Sequence, residues 1–168
     1  IVSCFSSAIH RIQIIADTAH RHGRHLAFLG RRMQTNTDMA QQLGALHLPP
    51  DLVIRGKEIK NYPRNEVVVI VSGCQGEPMA ALARISLEQH RDLKLDPGDT
   101  VILSSRIIPG NERAISRMMD HLYRRGADVV YQDSSSASPV HVSGHASAEE
   151  LKLMMMLVKP RFFVPIHG

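Results

Sequence analysis

Three of the ten histidines, His141, His145 and His167, fall at turns rather than inside periodic helical runs. Imidazole titrates near neutrality, so it can carry protons in catalysis or, when neutral, ligate a metal. His141 and His145 bracket V-S-G in a tight segment, a spacing found in reactive loops and in purely structural turns alike. A catalytic zinc takes about three protein ligands and a two-metal site takes more. No H-x-H-x-D-H or H-E-x-x-H run is present, so any metal site that includes His167 is expected to be completed by residues outside this chain. His20, His22 and His25 flank a helix end, where imidazolium suits the dipole, and together with His47, His90 and His121 they read as surface or structural residues.

A second group of candidates consists of turns rich in Ser and Gly: Ser6-Ser7, Gly30-Arg31, the run from Ser72 through Gly73, Cys74, Gln75 and Gly76 to Glu77, Ser104-Ser105-Arg106, and Ser143-Gly144-His145. Small residues let a phosphate approach the backbone, hydroxyls and amides donate hydrogen bonds, and Arg106 adds a charged fork. Such residues are also what βα turns prefer for conformational reasons, so the argument rests on five such turns sharing one edge. Neither G-x-G-x-x-G nor G-x-x-x-x-G-K-S occurs, which disfavours ordinary dinucleotide and nucleoside-triphosphate sites.

The elements that would place these turns alternate regularly. Apolar strands are predicted for I-V-S-C-F at the start, H-L-A-F-L-G at 25–30, V-V-V-I-V at 67–71, T-V-I-L-S near 100–104, and D-V-V-Y. The run at 67–71 is β-branched and apolar on both faces, as an interior strand of a parallel sheet requires. Helices are predicted near 7–22, 36–44, 77–90 and 111–125. The first puts Ile12, Ile15, Ala16 and Ala19 on one face before Gly23, and the last does the same with Ile115, Met118, Met119 and Leu122 before Gly126. The methionines there read as core filler. Ser147 and Glu150 form an S-x-x-E capping box that opens a further helix, stopped by Pro160. The alternation predicts an α/β fold, a three-layer sandwich with a mainly parallel sheet and right-handed crossovers. In that architecture the ligand crevice lies beyond the carboxyl ends of the strands, where the nominated turns converge.

Composition sets outer bounds. The 168 residues, 43% hydrophobic, suffice for one buried core. Cys4 and Cys74 are too few and too far apart for a C-x-x-C motif or a disulfide scaffold, which points to a reducing cytoplasm. No apolar stretch approaches the roughly 20 residues needed to span a bilayer, so no membrane association is expected. A net charge of +4 favours a polyanionic partner, although Arg31-Arg32 and Arg124-Arg125 equally suit solvated helix ends. The chain opens on a strand and closes just past another, so both ends are expected to continue in a longer polypeptide.

Several segments together resemble the β-CASP region of ribonuclease J, within the metallo-β-lactamase superfamily of nucleases. They are S-S-A-I-H-R-I-Q at 6–13, S-G-C-Q-G-E-P-M-A-A-L-A-R at 72–84, I-P-G-N-E at 108–112, H-V-S-G-H-A-S-A-E-E-L-K-L-M at 141–154, and P-I-H-G at 165–168. The resemblance implies an enzyme that cleaves RNA internally and also degrades it from a 5′-monophosphate end, in RNA maturation and decay. It implies two zinc ions held in the β-lactamase-like domain, single-stranded RNA as partner, a cytoplasmic location, and a homodimer or homotetramer at full length. By motif, His145 corresponds to a catalytic histidine beside the scissile phosphate and His167 to a metal ligand. The run His141, Val142, Ser143, Gly144 and His145 corresponds to a substrate-binding segment, and the loop of Ser7, Ala8, Ile9 and His10 to another RNA contact. Ser72, Gln75, Glu77, Ser104 and Arg106 join them as substrate-binding candidates from the turn argument.

The same resemblance divides the chain into a β-CASP domain at 1–138 and a segment at 139–168 that returns to the metallo-β-lactamase catalytic domain. The zinc-ligand motif of that domain and the glutamate that usually follows the closing H-G are missing here, so the chain alone is expected to be inactive. Cys74 stands where Ser or Thr is expected and Arg32 where a small residue is common. Leu151, Met154 and Met155 are expected to expose apolar surface because their usual partner is absent. Two other readings remain open at this stage: a non-catalytic RNA- or nucleotide-binding α/β domain, and a different β-CASP nuclease.

Overall fold

The computed structural model describes residues 1–132, 140–142 and 144–165. Among these, β1 (Val2–Ser3), β2 (His25–Leu29), β3 (Val67–Val71), β4 (Thr100–Leu103) and β5 (Asp128–Tyr131) form one sheet in the order β2-β3-β1-β4-β5. Every pairing is parallel. The β-branched run of β3 pairs with β2 along its whole length, from His25 against Val67 to Leu29 against Val71. β1 is short yet innermost. Backbone bonds extend its hold at both ends: the amide of Ile102 donates to Ile1 O (2.8 Å), that of Ser104 to Ser3 O (2.8 Å) and that of Cys4 to Val71 O (3.3 Å).

Alternation along the strands sorts side chains into two cores. On one face Ala27, Leu29, Val69, Val71, Val101 and Leu103 pack against helices α3 (Ala81–Ser86) and α4 (Glu112–Arg124) through Leu82, Ile85, Met118 and Leu122. On the other, Leu26, Phe28, Ile70 and Cys4 meet α1 (Ile9–Arg21) and α2 (Arg31–Gln42) through Ile12, Ala16, Met33 and Ala40. Each fully buried Leu or Ile contributes about 1.5–3 kcal/mol, so the periodic positions Ile12, Ile115 and Leu122 dominate the docking of their helices. Between β2 and β3 the chain rounds the sheet edge, where Val53 bridges Leu26, and Ile54 and Ile59 then join the α3–α4 core.

The sandwich has three layers over β2, β3 and β1 but two over β4 and β5. On the α1 side of those strands Ile102 is half-buried and Val130 is exposed.

Two helices depart from the periodicity. α2 begins at Arg31 instead of near 36, directly after Gly30, whose φ of 111° turns the chain sharply out of β2. Its buried stripe of Met33, Thr37 and Ala40 contains a polar member, satisfied by a bond from Thr37 Oγ1 to Met33 O (2.9 Å), and so gives little apolar signal. α3 is far shorter than 77–90. Glu77 bends back to accept from the Gln75 amide (3.0 Å), Pro78 stands in the turn before the helix, and Glu88 takes a left-handed φ of 58° that ends the last turn.

α5 (Ala148–Val158) opens with the predicted capping box: Ser147 Oγ accepts from the Glu150 amide (3.3 Å) and the Glu150 carboxylate accepts from the Ser147 amide (2.7 Å). Hydrogen bonds to the Glu150 carboxylate from the Ser147 backbone amide and then its hydroxyl lower the Glu150 pKa. No residue of α5 is buried.

Candidate functional site

α1 starts just beyond the carboxyl end of β1, and Ser104 follows the neighbouring strand β4. These two turns meet a segment distant in the chain, Val140–Val142. Ser104 Oγ donates to Val140 O (2.6 Å), and the Val140 amide donates to Gln132 Oε1 (3.0 Å). From the first turn of α1, Arg11 sends Nη1 to Ser104 O (2.7 Å) and Nη2 to Val142 O (3.0 Å). A depression of about 1250 Å³ opens beside this knot and runs along α1 over the half-covered face of β1 and the uncovered face of β4. Ser7, Ala8, Ile9, His10, Ser104, His141 and Val142, nominated from widely separated motifs, all line it, above apolar walls that include Ile14, Ile15 and Ile102. Arg11, His22 and Arg24 add basic side chains to the same walls.

Burial separates contact from support. Ser7, His10 and Val142 are exposed, as are Gly144 and His145, whereas Ser104 is only 5% exposed and its hydroxyl is engaged. In the turn after β3, Glu77 is exposed and Ser72 half-buried, and across from it Arg106 is exposed. Gln75 is buried, and its amide is spent on the protein. Nε2 donates to Arg106 O (2.8 Å) and Ser105 Oγ (3.3 Å), while Oε1 accepts from the Ile108 amide (3.0 Å) and from Asn111 Nδ2 (3.2 Å). Gln75 and Ser104, nominated as substrate contacts, thus hold neighbouring turns in place with their side chains. Ser143 and His167 lie outside the described residues.

His141 is half-buried, and its Nδ1 is buried without a hydrogen-bond partner among the described residues. Desolvation lowers its pKa first, the Arg11 and Arg106 cations add to the effect, and the backbone of Ser104 opposes it without reaching hydrogen-bond geometry. Neutral imidazole is therefore the favoured form at neutral pH. Burial also pushes the Cys4 thiol up to about 12 and raises that of Cys74. Cys74, the residue found where a hydroxyl was expected, points into the protein rather than toward a ligand. Among the described residues no three His, Cys, Asp or Glu side chains converge as a metal site, so the donor set on them does not by itself fit a zinc ion.

Sequence reasoning did not single out Arg11, Asn36 or Asn111. Asn36 Nδ2 reaches Ser6 O (3.1 Å) and Ser6 Oγ (3.0 Å). Arg11 and Asn111 lay inside quoted motifs, but no spacing distinguishes a bracing side chain from a solvated one.

Residues 1–122 match the family described as ribonuclease J, beta-CASP domain. The chain belongs to the ribonuclease J family. Across all 168 residues it is 44% identical to Ribonuclease J of Helicobacter pylori strain J99, of which it spans 24%. It is 45% identical over 167 residues to Ribonuclease J of Thermus thermophilus, spanning 28%, and 41% identical over 168 residues to Ribonuclease J2 of Bacillus subtilis, spanning 30%. The ribonuclease J resemblance drawn from the motifs is thus upheld over the whole chain, and the parallel α/β sandwich agrees with a β-CASP domain. Among the described residues no helix is long and apolar enough to cross a membrane.

Proposed function

We propose that this chain is the RNA-clamping part of a longer metal-dependent ribonuclease with both 5′-to-3′ exonuclease and endonuclease activity, which acts in RNA maturation and decay. One observation carries the reading. In a chain of this family, the turn into α1 at Ser7–His10 and the segment at His141–Val142 line the same depression, which runs along α1 over β1 and β4 and carries Arg11, His22 and Arg24 on its walls. Exposed His10 can meet a single strand there, and Gly144 and His145, also exposed, follow shortly after that segment, while Arg106, Glu77 and Ser72 belong to the neighbouring turns.

In this reading His145 touches the reacting phosphate, where imidazole donates a hydrogen bond to the developing oxyanion or protonates the leaving oxygen, worth about 10²- to 10⁴-fold in rate. His167 is a metal ligand, and the other ligands come from outside this chain. Two zinc ions, when bound, would supply Lewis acidity at the phosphate. Residues 1–138 form the β-CASP domain and 139–168 return to the catalytic domain, a division supported by an α5 that buries none of its apolar side chains here. The full-length protein is cytoplasmic, engages 5′-monophosphate ends and assembles as a homodimer or homotetramer.

The test is binding and cleavage of a short 5′-monophosphorylated single-stranded RNA, with and without zinc, by this chain and by the full-length protein. Cleavage by the full-length protein only, lost in His167→Ala, is the expected result. Tight zinc-independent binding with no cleavage by either form would replace this reading with a non-catalytic binding module.

A further inference from the structure

The geometry points to Arg11 as a positioning residue: its guanidinium, forked between Ser104 O and Val142 O, holds Val140–Val142, on the approach to His145, in register with the end of β4 and the start of α1. This inference rests on the proposed role of that segment in RNA cleavage.

Three fixed points define the segment's entry. The Val140 amide is held by Gln132, the Val140 carbonyl by Ser104 Oγ, and the Val142 carbonyl by Arg11. Ser104 takes part twice, because its own carbonyl receives the other arm of Arg11 (2.7 Å). Among the described residues, Arg11 joins α1, the β4 end and the segment at once. A planar guanidinium presents donors in a rigid fork that can bridge two carbonyls, and both bonds gain from its charge. The flexible, single ammonium of Lys cannot reproduce that geometry. Val142 is itself exposed at 74%, and the bond from Arg11 restrains its backbone upstream of His145. An arginine committed to carbonyls is also less available to phosphate, which separates this role from direct RNA contact.

Arg11→Lys and Arg11→Met would be made in the full-length protein and assayed well below each variant's Tm, with His145→Ala as a parallel control. Loss of the fork lets the segment wander, and misplacement on the ångström scale costs up to about 10²-fold. The expected result is a loss in kcat of about 10- to 100-fold in both variants, with little change in KM. The salt dependence of RNA binding should stay as in the parent. Full kcat in Arg11→Lys would show that charge alone suffices and overturn the inference. So would a shallower salt slope in Arg11→Met, since one lost phosphate contact reduces it by about 0.7 for a single strand. A variant that is merely less stable keeps its kcat per folded molecule, which would equally overturn it. Undiminished cleavage by His145→Ala would instead sink the functional reading of the segment, whatever the Arg11 variants do.

Discussion

Cys4 lies at the end of the innermost strand, with no exposed surface, against the α1 core. Burial dominates its titration, the nearby Cys74 adds to the effect, and Arg11 opposes it, so the folded thiol keeps its proton to about pH 12 while an ordinary thiol loses it near 9. The folded state therefore holds the proton more tightly than the unfolded chain. Stability owed to this difference is complete below about pH 9 and declines as pH rises toward 12, by up to about 1.4 kcal/mol per unit. Denaturant midpoints measured from pH 8 to 11 should fall more steeply in the parent chain than in Cys4→Ala; parallel curves would show that the buried thiol is not linked to folding. The same burial makes Cys4 and Cys74 poor nucleophiles, in keeping with a site built from imidazole, guanidinium and backbone groups.

At the scale of elements, the turn after β3 and helix α4 are locked together by a missing side chain. Gly76 has a φ of 73°, and a Cβ placed there would lie 2.7 Å from the backbone carbon and 2.9 Å from the carbonyl oxygen of Ala114. Neither α4 backbone nor the Gln75 network can yield without disturbing the other, because Gln75 ties this turn to Ile108 and to Asn111 at the start of α4. Gly76→Ala combines left-handed strain with a backbone clash, and a destabilisation of about 2–4 kcal/mol is expected. Thermal or denaturant unfolding would measure it, and a change below about 0.5 kcal/mol would mean that α4 shifts freely. The same contacts explain why α3 is compressed into Ala81–Ser86: the residues before it are needed for the brace.

At the scale of the whole molecule, two areas of exposed apolar surface stand out among the described residues. One is the α1-side face of β4 and β5 with its adjoining depression. The other is α5 and the residues after it, where Leu151, Met154, Met155, Phe162 and Phe163 are each at least 41% exposed. This matches the expectation of exposed Leu151, Met154 and Met155. The isolated chain should accordingly enhance the fluorescence of a hydrophobic dye, and a variant with Leu151, Met154 and Met155 all changed to Ser should lose a substantial part of that signal. An unchanged signal would assign the dye to the sheet face instead. Because α5 buries nothing here, the same triple variant should leave Tm nearly unaltered.

Local patterns determined the strands, the α1 and α4 faces, the capping box of α5 and the parallel α/β class, because each depends on residues close in sequence, through the period of their element or a short motif at its start. The site was legible only as a set of motifs whose order carries family resemblance. The sequence could not show that Ser7–His10 and His141–Val142 would line one depression, since they are brought together by the order β3-β1-β4, a non-local choice. Nor could it separate Gln75 and Ser104, buried and committed to neighbouring turns, from exposed His10 and Arg106, because all are polar residues in similar turns. The start of α2 was hidden for a related reason: Thr37 occupies a core position and satisfies its hydroxyl on the helix itself. Burial and hydrogen-bond partners are properties of the assembled fold, and it was tertiary packing that made Arg11 a brace instead of one more surface charge.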